Sequence, residues 1–142
     1  MEYLLVLKLL AAVVVGGIIG FEREKIHRPA GLKTNILICM GSTLLTHIAL
    51  TYIEGPGGLI AAIMTGIGFL GAGTIINTPN RVLGLTTAAS LWVVAALGIV
   101  LGMGLFQEAF FTVILAYLVL VVGHYLEVKF NLGKELPMKK KK

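Results

Sequence analysis

Glu22 and Glu24 alternate with Arg23 and Lys25 in the stretch Gly20-Phe21-Glu22-Arg23-Glu24-Lys25, and Arg28 follows. The stretch closes a long apolar run, so its carboxylates fall at a helix C-terminus, where the macrodipole concentrates negative character. A cation would be drawn there. Magnesium takes oxygen ligands, usually one or two carboxylates with retained waters. Glu22 and Glu24 could supply these, with Asn77 from the matching end of a third helix. The competing reading is a salt-bridge network that locks the loop, drawing on Arg23, Arg28 and Arg81. Glu24 and Arg28 have the i, i+4 spacing of such a pair on a helix. Both readings stand on the residues alone.

Further along, Thr86 and Thr87 open another apolar run, where free helix amides are capped or bind an anion. Thr86 and Ser90 share a face. Lys8 is ionisable inside an apolar run, which calls for a partner or an outward snorkel; Glu2, Glu54 and Glu108 are the expected partners. His47 and His124 have no metal-ligand neighbours in sequence and read as satisfied core or interfacial histidines. Cys39, the single cysteine, reads as a small buried hydrophobe.

Several chemistries are excluded. The chain has no Asp, and no nucleophile elbow, zincin helix or P-loop. Gly66 to Gly71 fits G-x-G-x-x-G, but no strand-turn-helix unit surrounds it. A non-enzymatic protein is expected.

These residues are held by apolar segments. Hydrophobic residues make up 57% and charged residues 13% of the 142, against about 25% charged in soluble domains. With a mean hydropathy of +0.93, the chain cannot cover a globular surface with polar groups, and a bilayer removes that need. Five apolar runs, roughly 3–21, 34–53, 59–76, 85–103 and 106–126, approach the length needed to cross about 30 Å of hydrocarbon. The first begins Met1-Glu2 without a basic leader region and reads as a retained helix. The fold class expected is all-α: a polytopic membrane protein of five transmembrane helices over residues 1–128, followed by a basic tail over 129–142.

Basic residues set the orientation. The first loop holds Arg23, Lys25, Arg28 and Lys33, the third holds Arg81, and the tail ends in Lys139 to Lys142. The second and fourth loops hold none. The N-terminus is therefore expected outside and the C-terminus in the cytoplasm, with the tail on anionic lipid. The net charge of +5 thus belongs to membrane topology; no aromatic-interleaved basic groove marks a nucleic-acid partner.

The third run contains Gly66, Gly68, Gly71 and Gly73. They read either as a close-packing helix face or as broken helix lining a pore. Trp92 lies about two turns below the interface, and its indole N–H is expected to find a polar partner.

Three blocks resemble the MgtC/SapB membrane family. The first is Gly20 to Glu24 with Arg28-Pro29-Ala30-Gly31-Leu32-Lys33-Thr34-Asn35. The second is Gly66 to Gly73. The third is Gly84-Leu85-Thr86-Thr87-Ala88-Ala89-Ser90-Leu91-Trp92. The resemblance implies a bacterial or archaeal plasma-membrane protein linked to magnesium. Some family members regulate other membrane complexes, among them the proton-driven ATP synthase. Longer members add a soluble C-terminal domain, and the expectation here is the short form. The function expected is regulation of a partner membrane complex, such as an ATP synthase or magnesium transporter, in ion homeostasis. The alternative is a cation transporter or channel using Glu22 and the glycine-rich third helix. A homodimer is also expected.

Overall fold

Two pairs of glycines four residues apart, Gly16/Gly20 and Gly98/Gly102, decide which helices touch. A computed structural model describes residues 2–79 and 81–130, with backbone only at Glu2 and Arg81. It contains α1 (Glu2–Lys25), α2 (Leu32–Tyr52), α3 (Gly57–Ala72), strands β1 (Ile76–Thr78) and β2 (Arg81–Leu83), α4 (Leu85–Met103) and α5 (Phe106–Lys129). Helices α1, α2, α4 and α5 are long and apolar enough to cross a membrane.

The glycine pairs fasten α2 on both sides. A Cβ on Gly16 would lie 2.7 Å from the Asn35 carbonyl oxygen, and one on Gly20 would lie 2.8 Å from Leu32 Cα. Contact positions thus descend along α2 as they ascend α1, so these two helices are antiparallel. A Cβ on Gly98 would lie 2.4 Å from the Cys39 carbonyl oxygen, and one on Gly102 would lie 2.6 Å from Thr46 Cβ. Here both numbers rise together, so α2 and α4 run parallel. Small residues four apart on one helix face permit such backbone approach where apolar solvent supplies no hydrophobic drive. Thr43 Oγ1 reinforces the seam, donating to the Gly98 carbonyl at 3.0 Å and to the Cys39 carbonyl at 2.8 Å.

Helix α4 is the central element and touches all four other helices. Its Val94, Leu97 and Leu101 join Ala12, Val15, Ile19 and Cys39 in the core. By contrast α5 buries only Ala109 and Val113, leaving most of its apolar surface facing outward. Helix α4 ends at a Schellman cap: the Leu105 N–H reaches the Val100 carbonyl, the Gly104 N–H reaches the Leu101 carbonyl, and Gly104 is left-handed at φ 84°.

The third apolar segment departs from the expected helix over 59–76. The helix stops at Ala72, and 16 residues span only about 24 Å at 1.5 Å each. Beyond it, Thr74 Oγ1 and the Thr74 N–H both bond the Gly71 carbonyl. Glycines and the β-branched run Thr74-Ile75-Ile76 then favour extended chain, which forms an antiparallel hairpin pairing Ile76 with Leu83 and Thr78 with Arg81. Gly84 follows at φ 86°. A Cβ there would sit 1.9 Å from the Thr74 carbonyl oxygen, so both the conformation and the space demand glycine.

The α3 glycines do not make the tight seams. Nothing lies within 4 Å of a Cβ placed on Gly66 or Gly68, and Gly71 makes ordinary contact with Ala88 at 3.5 Å. Gly73 approaches only the carbonyls of its own helix end. Trp92 is half-exposed beside Gly68 and Gly71, and among the described residues its indole has no hydrogen-bond partner, contrary to expectation. Its ring lies along the open α3–α4 boundary, where no polar side chain reaches it.

This packing makes a graded prediction. Gly98→Ala should lower stability by about 1–3 kcal/mol, the usual cost of forcing atoms into a filled contact, whereas Gly66→Ala should change it by less than about 0.5 kcal/mol. Thermal unfolding of the two variants in the same detergent checks both.

Candidate functional site

The buried charged groups gather at two ends of the bundle. One end joins the C-terminus of α1, the N-termini of α2 and α4, and the C-terminus of α5. There α1 continues through Glu22 and Arg23, four residues past the expected limit at 21. Both side chains are buried, Arg23 at 2% exposure, and Arg23 Nε donates to Glu22 Oε2. A charge removed from water is tolerated when paired and hydrogen-bonded. The adjacent carboxylate supplies that pairing.

Glu24 does different work. Its Oε2 accepts the Leu32 N–H at 2.9 Å, placing a carboxylate on the positive end of α2. The reach is possible because Gly31 has no side chain: a Cβ there would overlap Glu24 Oε2 at 1.7 Å. The expected Glu24–Arg28 pair is not formed, because the helix ends between the two. Bonds from the Arg28 N–H to the Arg23 carbonyl and from the His27 N–H to the Glu24 carbonyl close a Schellman turn, with His27 left-handed at φ 55°. Arg28 instead lies 3.9 Å from Glu127 on α5, both substantially exposed.

Asn35 completes the loop. It is fully buried, and its Nδ2 donates to the Ala30 and Gly31 carbonyls at 2.9 and 2.8 Å, while Oδ1 has no partner. The signal for Asn35 in the sequence is a lone amide in an apolar helix, four residues after a glycine. The glycine pairs of α1 and α4 are likewise legible in the sequence as small-xxx-small spacing, though sparser than the α3 run.

The expected ligand set of Glu22, Glu24 and Asn77 is engaged otherwise. Among the described residues no three His, Cys, Asp or Glu side chains group as metal ligands. Glu22 is engaged by Arg23 and Glu24 by the α2 amide. Asn77, expected at the end of a helix, lies in exposed strand β1. Thr87 is buried and its carbonyl accepts from Ser90 Oγ at 2.8 Å, while α4 has no side-chain cap. Thr86 is exposed and lines a cavity with Arg23, Arg28 and His124. The Arg81 side chain and the run Lys139 to Lys142 lie outside the described residues.

At the other end, Lys8 is buried at 6% exposure. It does not snorkel, and among the described residues it meets no carboxylate. Its Nζ donates to the Gly102 carbonyl at 2.7 Å and lies 3.5 Å from His47 Nδ1. Gly102 sits in the last turn of α4, where carbonyls lack helical partners and the dipole end is negative. The ammonium answers both needs, which explains why it stays inside.

The sequence is similar to those of known proteins. The MgtC family matches residues 9–129. YhiD of Escherichia coli K12, whose name assigns it provisionally as a magnesium transporter, is 37% identical over 135 residues, covering 85% of this chain and 61% of YhiD. The protein MgtC of Salmonella typhimurium LT2 is 44% identical over 105 residues, 73% of this chain and 46% of that protein. MgtC of Brucella abortus is 44% identical over 104 residues, 71% of this chain and 43% of that protein. The chain thus spans about half the length of the curated relatives it matches. No solved structure matches it.

If the Glu22–Arg23 pair is structural, Glu22→Gln leaves a buried guanidinium uncompensated. A loss of about 3–5 kcal/mol is expected, read as a lowered melting temperature in detergent. An unchanged melting temperature would remove the pair from the locking role.

Proposed function

The chain belongs to the MgtC family, and on that premise we propose that it serves magnesium or other ion homeostasis by regulating a partner membrane complex. In this reading it is a non-enzymatic, multi-pass protein of a bacterial or archaeal plasma membrane. Its N-terminus lies outside and its Arg23 end faces the cytoplasm, following the placement of basic residues. A cation transporter or a proton-driven ATP synthase is the kind of partner it would act on.

One observation carries the choice of regulator over transporter. The two charged ends are separated by an interior without ionisable side chains, in which the hydroxyls of Ser42, Thr43 and Thr46 are buried on α2. Lys8 and Glu22 are 14 positions apart on α1, about 21 Å, and residues 9–21 between them contain no ionisable side chain. Around them Ala12, Val15, Ile19, Val94, Leu97 and Leu101 fill the core. A pore needs side chains or free carbonyls to replace a cation's hydration shell. The glycine-rich α3 does not provide these within one copy, because Gly66 and Gly68 face open space outside the core.

The same open face supports a homodimer. A short helix with bare glycines gains close contacts when a second copy covers it. Gly66→Cys should therefore form an intermolecular disulfide in native membranes, seen as a doubled mass without reductant. A monomer band alone would put the second copy elsewhere or dismiss it.

Magnesium uptake into sealed liposomes, followed with an internal magnesium-sensitive dye, tests the main reading. No protein-dependent flux is expected from folded, inserted protein, while crosslinking in native membranes should capture a larger membrane partner. A flux well above empty liposomes would overturn the regulator and make this a transporter.

A further inference from the structure

At the Arg23 end, a cavity of about 180 Å³ lies between α1, α4 and α5, and Arg23, Arg28, Thr86, His124 and Glu127 border it. A second cavity, of about 170 Å³, shares Thr86, Val119 and Leu120 with the first and extends toward the bundle middle. Its other walls include Ile19, Ala89, Val93 and Ala116. The two together make a slot with an apolar depth and a basic mouth.

The mouth holds polar capacity the fold leaves unused. Arg23 is almost wholly buried, yet among the described residues its one hydrogen bond runs from Nε to Glu22. Among the described residues the terminal nitrogens of its guanidinium have no acceptor. His124 Nδ1 is buried without a partner, an arrangement that ordinarily demands explanation. Arg28 is held only loosely, 3.9 Å from Glu127. Guanidinium groups match the oxygens of a phosphate in a fork geometry. Free phosphate would satisfy the mouth but leave the apolar depth empty.

We propose that this slot binds one anionic phospholipid, its phosphate held between Arg23, Arg28 and His124 and one acyl chain lying between α4 and α5. The loose packing of α5, which buries only Ala109 and Val113, opens the slot sideways to lipid, so entry needs no helix to unfold. Glu127 sets the strength of binding. Its carboxylate competes with the phosphate for Arg28 and must swing outward, which its 52% side-chain exposure permits.

The test uses the purified full chain in a neutral detergent. Phosphatidylglycerol, phosphatidylcholine and inorganic phosphate are compared by native mass spectrometry and by melting temperature. Phosphatidylglycerol should bind as one retained copy and raise the melting temperature by several degrees, while the other two do neither. Arg28→Gln should weaken phosphatidylglycerol binding about tenfold, the loss of a charge-assisted contact, and Glu127→Gln should strengthen it. Val119→Trp, on the outward side of α5, should block the chain slot and abolish the retained lipid without lowering the unliganded melting temperature. Equal retention of phosphatidylcholine would overturn the proposal. So would inorganic phosphate reproducing the stabilisation, or Arg28→Gln and Val119→Trp both leaving binding intact.

Discussion

The close approach of α2 to its two neighbours governs the rest of this structure. Gly98 and Gly102 bring α4 against α2 until an added methyl would overlap backbone oxygen, and Gly16 and Gly20 do the same for α1. In an apolar solvent, burying apolar surface drives nothing, so helices associate through dispersion and hydrogen bonds at short range. Backbone contact maximises both, and Thr43 adds its bond to the Gly98 carbonyl. Once this three-helix layer is set, α3 and α5 are secondary, α3 packed chiefly against α4 and α5 against both α4 and α1.

The polar groups follow from the same layer. Because α1 and α2 are pressed together near Gly20, the loop between them is short and must be pinned. Glu24 holds the α2 amide end, Asn35 holds the loop carbonyls, and Arg23 is drawn beneath the turn with Glu22. At the opposite end Gly102 lies close to α2, and its orphan carbonyl meets Lys8. Each buried charge thus answers a helix terminus or an adjacent charge. Such an arrangement stabilises a scaffold. That is the physical basis for preferring regulation over transport, and it leaves the slot beside α5 as the place with unused binding capacity.

The loose packing of α5 and the open face of α3 have a common cause. Both helices carry apolar residues around most of their circumference, so neither has a single face that must be hidden. A bilayer or another protein satisfies such helices equally well. The bundle therefore presents a firm layer of α1, α2 and α4, with two peripheral helices available for contacts beyond the chain.

The sequence by itself determined the helical membrane class and the run of charged residues that closes the first helix. Long apolar runs can satisfy their backbone in lipid only as helices, and there are too few charged residues to belong anywhere but helix ends. The family was legible too, in the blocks around Glu22, Gly66 and Thr86. Tertiary structure alone decided which glycines pack tightly: in the dense α3 run Gly71 meets α4 only at ordinary contact distance, while two sparse pairs in α1 and α4 carry the close contacts. It also decided that Glu24 caps α2 instead of pairing with Arg28, that Lys8 finds a carbonyl, and that the third run ends in a hairpin. The reason is that composition and spacing report what a segment can bury. The partner it meets depends on contacts between segments far apart in the chain.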